Sequence, residues 1–136
     1  MRRLVQLAAC VVVVACGGDG KQPVGPPAIS RAGTYSLRTV DGHALPYAYP
    51  NAPGTELTAE ALTLNGDNSF SARTDQRYTD ANGQVHTGFV TSSGTYTVSG
   101  SDLTLRFSSG EAVGETFTGP DEITGHCCGS VWVYRR

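Results

Sequence analysis

The chain has 136 residues, with 10 Lys and Arg against 12 Asp and Glu and a formal charge of −2. A slightly acidic chain with no basic cluster lacks the electrostatic footprint that nucleic-acid binding requires, so that class of partner is excluded. Its Gly-rich, weakly charged composition, with 17 Gly and 16 % charged residues, points to turns and short strands.

Arg2 and Arg3 open the chain, and residues 4–15 form a run of Leu, Val and Ala broken only by Gln6 and Cys10. A basic start before a short apolar stretch is the anatomy of an export signal. The run has 12 residues, whereas a spanning helix takes roughly 20, so it is too short to remain as an anchor. The segment Val13-Val14-Ala15-Cys16 resembles the bacterial lipobox. That resemblance implies cleavage before Cys16 and acylation of its thiol with palmitate-like chains. Cys10, after Leu7-Ala8-Ala9, fits the same pattern but leaves only residues 4–9 as the apolar segment. An ordinary secretory signal cut nearby is the plain alternative. Each buried methylene contributes ~0.8 kcal/mol of membrane affinity, and stable anchoring needs more than one chain, which a triacylated cysteine supplies. Gly17, rather than Asp, follows Cys16. By the rule for bacterial lipoproteins, this implies an acyl anchor in the outer membrane, facing the periplasm.

Residues 1–15 are thus the signal peptide, and residues 16–32 are the lipidated cysteine with a tether. The tether carries four Gly and three Pro over residues 17–32, which suits a flexible spacer rather than a helix interior or buried strand. Fully extended, it would reach about 50 Å. Loss of the signal leaves eight basic against twelve acidic residues, a charge of −4.

Residues 33–136 then form one all-β domain. No segment shows helical apolar spacing, and turn signals recur every 8–12 residues. Gly33 to Val40 places Tyr35 and Leu37 on one face. Residues 56–65 carry Leu57, Ala59 and Ala61, then Leu62 and Leu64, so the apolar parity flips near Ala61 and predicts a bulge there. Ser69 to Thr79 alternates cleanly, with Phe70, Ala72, Thr74, Gln76 and Tyr78 on one face. Asp80-Ala81-Asn82-Gly83 predicts a tight hairpin, Asn-Gly favouring positive backbone angles. Val85 to Thr91 returns from it, and Thr95 to Ser99 forms a separate strand with Tyr96 and Val98 inward. Asp102 to Ser108 carries Leu103, Leu105 and Phe107, and Glu111 to Thr118 carries Val113 and Phe117. The last pair is Glu122 to Gly125 and Ser130 to Arg135, with Val131 and Val133 opposite Trp132 and Tyr134.

Eight or nine short strands joined by short turns predict an antiparallel up-and-down meander. A flat meander would expose two edges and an uncovered apolar face, so closure into a small barrel is expected. A barrel embedded in the membrane is disfavoured, because spanning strands need about 9–11 residues, most strands here read as 5–8, and aromatic girdles are absent. The sequences GTYSLRTVDGHALPY, LTLNGDNSF, SGTYTVSGSDLTLRFSSG and the terminal VWVYRR resemble the small lipocalin-like domains of bacterial lipoproteins. That resemblance covers most of residues 33–136 and implies a calycin-type cup that takes a small apolar or amphipathic ligand. It carries no catalytic residue across, and Gly33-Thr34-Tyr35 stands where full-length lipocalins have Gly-X-Trp. The loop Ala44 to Pro53 holds two Tyr and three Pro and would be either a lid, with Tyr47 and Tyr49 on the ligand, or packing that plugs the barrel. An open cavity would be lined by Tyr35, Tyr47, Tyr49, Phe70, Tyr96 and Phe107. A filled barrel would instead serve as an envelope interaction module, with an apolar patch that includes Trp132.

The most unusual motif is Gly125-His126-Cys127-Cys128-Gly129. Adjacent Cα atoms lie ~3.8 Å apart, below the usual ~4.4 Å lower limit for a disulfide, so a bridge between Cys127 and Cys128 would be strained and labile. A redox switch, soft-metal capture with His126, an intermolecular bridge and a simple hairpin loop all stay open. His43 and His86 are surface residues by their surroundings, and nothing in the spacing brings them to the cysteines. No Gly-X-Ser-X-Gly elbow and no acid and base pair is present, so neither an enzyme nor a cofactor is expected.

Overall fold

Alternation of apolar and polar residues builds ten strands, which this computed structural model describes over residues 30–136. The export signal, the Cys16 lipidation site and residues 16–29 of the tether lie outside the described residues. The strands are β1 (Gly33–Val40), β2 (His43–Ala44), β3 (Tyr47–Ala48), β4 (Thr55–Leu64), β5 (Ser69–Thr79), β6 (Val85–Ser99), β7 (Asp102–Phe107), β8 (Ala112–Phe117), β9 (Glu122–Cys127) and β10 (Ser130–Arg135). β4 to β10 pair in chain order, and β1 pairs antiparallel with both β10 and β4. The result is a closed, antiparallel, eight-stranded up-and-down barrel, with β2 and β3 as short additions on β1 and β4. No helix is found among the described residues.

Closure between β1 and β4 is brief. It runs from Gly33 opposite Leu64 to Ser36 opposite Ala61, after which the two strands part. β2 stays with β1 at Thr39 and Val40, and β3 stays with β4 at Glu56 and Leu57, so residues 41–54 bridge the gap as a strap. Asp41 and Gly42 both have positive φ, 52° and 79°, as a two-residue type I′ turn between antiparallel strands requires.

The two ends of the barrel differ. At the end holding the start of β1, Tyr35, Leu64, Phe70, Leu103, Phe117 and Ile123 fill the interior. Two guanidiniums cover this end: that of Arg31 lies 4.3 Å from the Phe117 ring centroid and that of Arg136 lies 5.3 Å from Tyr35. Arg136 also donates to the carbonyls of Ser30, Ala32 and Pro120. Ion pairs lie outside, with Arg73 on Asp75, Arg77 on Glu56 and Arg135 on Glu122. An apolar closed end with ion pairs on the exterior suits a barrel surrounded by water.

Several expectations are corrected. The parity flip in β4 lies between Leu57 and Ala59, where the register with β5 shifts, rather than near Ala61. Leu57 is buried and Ala59 is exposed, and the inward series resumes at Glu60, Leu62 and Leu64. Residues 85–91 and 95–99 are one 15-residue strand, β6, rather than two. β4 and β5 have the 10 and 11 residues read from the sequence, β4 starting one residue earlier. In the β5–β6 hairpin only Gly83 has positive φ, 81°, and Asp80 pairs with Gln84 across a three-residue loop. Val98 is 39 % exposed at the strand's end rather than inward.

Sequence reading broke β6 at Ser92-Ser93-Gly94, where the strand changes partners. β5 accompanies it from Val85 to Thr95, and β7 from Gly94 to Ser99. Gly94 pairs with both Phe70 and Phe107, and a Cβ placed there would sit 2.0 Å from the Arg106 carbonyl oxygen. Only glycine permits that approach. Gly94→Ala is therefore expected to force β6 from β7 and to cost about 3 kcal/mol or more, measured as a lowered urea midpoint.

Candidate ligand cavity

Above the filled end, the interior opens into two adjoining chambers of about 520 Å³ and 210 Å³ that share Glu60, Thr74, Cys127 and Trp132. The larger opens at the rim and is walled on one side by the strap residues Tyr47, Tyr49, Pro50, Asn51 and Ala52. The smaller lies deeper, over Phe70 and Phe107, whose rings meet edge to face at 5.1 Å. Ligand pockets commonly fall in the range of about 300–1,000 Å³.

The six aromatics expected around a cavity divide into three pairs. Tyr47 and Tyr49 line the outer chamber and meet edge to face at 6.2 Å. Phe70 and Phe107 form the floor of the inner one. Tyr35 and Tyr96 line neither and belong to the packed end, where their hydroxyls donate to the carbonyls of Arg31 and Asn65. Trp132 lines both chambers rather than forming an outer patch, and its Nε1 is fully buried without a hydrogen-bond partner.

Sequence reading missed two carboxylates. Glu60 is turned inward by the bulge in β4; Tyr134 donates to its Oε1 at 2.7 Å and Thr74 to its Oε2 at 2.9 Å. Glu115 sits on β8 at the parity of Val113 and Phe117, a signal present in the sequence. It faces Gly125 at the last rung of the β8–β9 ladder, and a Cβ on Gly125 would lie 2.9 Å from Glu115 Oε1, so glycine there makes its niche. Glu115 Oε2 is buried and has no hydrogen-bond partner. Burial, reinforced by the charge of Glu60, pushes the Glu115 carboxyl up to about 7. Burial also raises Glu60, against the hydrogen bonds from Tyr134 and Thr74. Burial first, and then the two glutamates, raise the Tyr134 hydroxyl well above its ordinary range.

The cysteine motif sits on the rim. Cys128 and Gly129 occupy the two-residue turn between Cys127 and Ser130, with φ of 57° and 84°. A left-handed conformation costs a non-glycine residue roughly 1 kcal/mol. Both cysteines are free and exposed, their Sγ atoms 3.0 Å apart, and both line the outer chamber. Hydrogen bonding to Cys128, with burial, raises the Cys127 thiol to about 11. His126 is exposed on the strand position between inward Gly125 and Cys127 and therefore points to the opposite face. His43 is exposed, while His86 stacks on Tyr78 and contacts Asp80 at 3.0 Å. Among the described residues no group of three or more His, Cys, Asp or Glu is placed to hold a metal ion.

These features define a lipocalin-like cup, a small antiparallel barrel filled at one end and hollow at the other. No protein-family model matches the chain, and neither does any curated protein. Among solved structures, that of the Cpx pathway activator NlpE from Escherichia coli aligns with 68 % of this chain and 42 % of its own, at 22 % identity and a TM-score of 0.42. The chain thus spans less than half the length of that protein.

The Glu115 environment fixes a pH dependence. Its carboxyl titrates near 4.5 when unfolded and about 7 when folded, so folding favours the protonated form. Stability is highest below pH 4.5 with respect to this group and falls as pH rises to 7, by up to about 3 kcal/mol. Glu115→Gln is expected to match the wild type near pH 4.5 and to melt at a higher temperature at pH 8, measured by thermal denaturation across that range.

Proposed function

We propose that this protein is a non-catalytic, lipid-anchored envelope protein that binds a small amphipathic ligand in the hollow half of its barrel. The observation that carries the reading is an open chamber of about 520 Å³, walled by Tyr47, Tyr49 and Trp132, that continues into a deeper chamber lined by Phe70, Phe107 and Glu115. A barrel without such a role would be expected to fill this space with side chains.

The binding test uses the environment-sensitive apolar fluorophore N-phenyl-1-naphthylamine. Its fluorescence should rise on binding, and the emission of Trp132, the single Trp of the chain, should change with it. Thr74→Trp, which places a large ring between the chambers, should weaken binding at least tenfold while the far-ultraviolet spectrum stays that of a folded barrel. Unchanged binding in that variant would place the site elsewhere.

The anchor rests on Val13-Val14-Ala15-Cys16 and on the basic start and apolar run before it. The non-Asp residue Gly17 directs the proposal to the outer membrane, facing the periplasm. Metabolic labelling with an alkyne analogue of palmitate should mark the wild type and Cys10→Ser equally and leave Cys16→Ser unlabelled.

A further inference from the structure

The lining of the cavity is electrically one-sided. Glu60 and Glu115 contribute two carboxyls, and among the residues lining either chamber there is no Arg, Lys or His. The basic side chains engaged nearby are spent outside or at the closed end, Arg73 on Asp75, Arg77 on Glu56, Arg135 on Glu122 and Arg136 on Asp121. A buried carboxyl of this kind either stays protonated or takes a cation. The other titratable groups facing Glu115 are Glu60 from β4, Tyr134 from β10 and Cys127 from β9, and none of them can be cationic.

We propose that the cavity selects an amphipathic amine, its apolar chain against Trp132 and Tyr49 and its ammonium against the carboxyls of Glu60 and Glu115. This deepens the ligand-binding reading and rests on it. An anionic amphiphile would bring a third negative charge into a poorly solvated chamber, and a neutral one would leave both carboxyls without a counter-ion. The Trp132 ring strengthens the preference, because a cation near an indole face gains attraction from its quadrupole. Glu115 gives up its proton as the ammonium arrives, so amine affinity rises with pH as this carboxyl ionises.

The test uses residues 17–136, which contain the whole barrel, and three probes of equal chain length below their micellar concentrations: decylammonium, decanol and decanoate. Trp132 emission and calorimetry give the affinities at pH 7.5, and N-phenyl-1-naphthylamine serves as a charge-independent control. Decylammonium should bind at least tenfold more tightly than either other probe and more tightly at pH 8 than at pH 6. Glu115→Gln and Glu60→Gln should each reduce that preference severalfold when each amine affinity is taken relative to the naphthylamine affinity of the same variant. Equal binding of all three probes, or a preference for decanoate, overturns the amine assignment and leaves a general apolar cavity. A preference that survives in both variants overturns it too. No binding of any probe, naphthylamine included, removes the ligand-binding reading as well.

Discussion

The architecture depends on β1 serving two neighbours. Ser36 pairs with Arg135 of β10 and also with Ala61 of β4, and this seam, only four residue pairs long on the β4 side, closes the barrel. Below it the wall is continuous, and the interior fills with Tyr35, Leu64, Phe70, Leu103, Phe117 and Ile123. Above it β1 and β4 diverge, and the strap of residues 41–54 replaces hydrogen-bonded wall with Tyr47 and Tyr49. A second divergence follows the short β8–β9 ladder, which has pairs only from Glu115–Gly125 to Phe117–Ile123.

The same local devices set the chemistry of the hollow. One extra residue near Thr58 rotates β4 so that Glu60 faces inward where regular alternation from Leu57 would have presented Ala59 and Ala61. Gly125 withholds a side chain and leaves a niche that the Glu115 carboxyl occupies. Neither carboxyl gains a basic partner inside, so burial rather than ion pairing governs both. Apolar residues at these two positions would have made a more stable barrel, since burying an ionisable group without a counter-ion opposes folding. Their presence places that cost on the wall of the hollow.

Fold class was legible because alternation has a period of two and Gly or Asn marks the reversals: the ends of β1, β5 and β10 all follow from the pattern. Two features were harder to read, for a shared reason. Ser92-Ser93-Gly94 looks like a turn, yet extended backbone tolerates glycine wherever another chain comes close, and the close approach of Arg106 to Gly94 is a tertiary fact. The bulge was visible as a parity flip, but its position depended on the partner strand, and a shift of three residues decided whether a glutamate or an alanine faced inward. Glu115 differs, since its parity with Val113 and Phe117 marks it as inward from sequence alone. It was passed over because carboxylates are ordinarily placed at the surface. Tyr35 and Tyr96 erred in the opposite direction. Their inward parity was right, but parity does not give height along the barrel, and both lie in the packed end.

Height along the barrel also orients the cavity toward any membrane. Ser30 and Arg136 meet at the closed end, where the Arg136 guanidinium holds the Ser30 carbonyl at 3.2 Å. The outer chamber, the strap and the Cys127–Cys128 turn lie at the opposite end. With the acyl anchor proposed at Cys16, the tether attaches to the filled end, and its length leaves the mouth free to face the surrounding water. An approach through water favours guests soluble enough to cross it, and a charged head confers that solubility on an apolar chain. For the amine proposed above, the acidic lining would act at the last step, when the head exchanges water for carboxyls and the chain settles against Trp132. The tethered end offers no entry of its own, since Arg31 and Arg136 cover Phe117 and Tyr35 there.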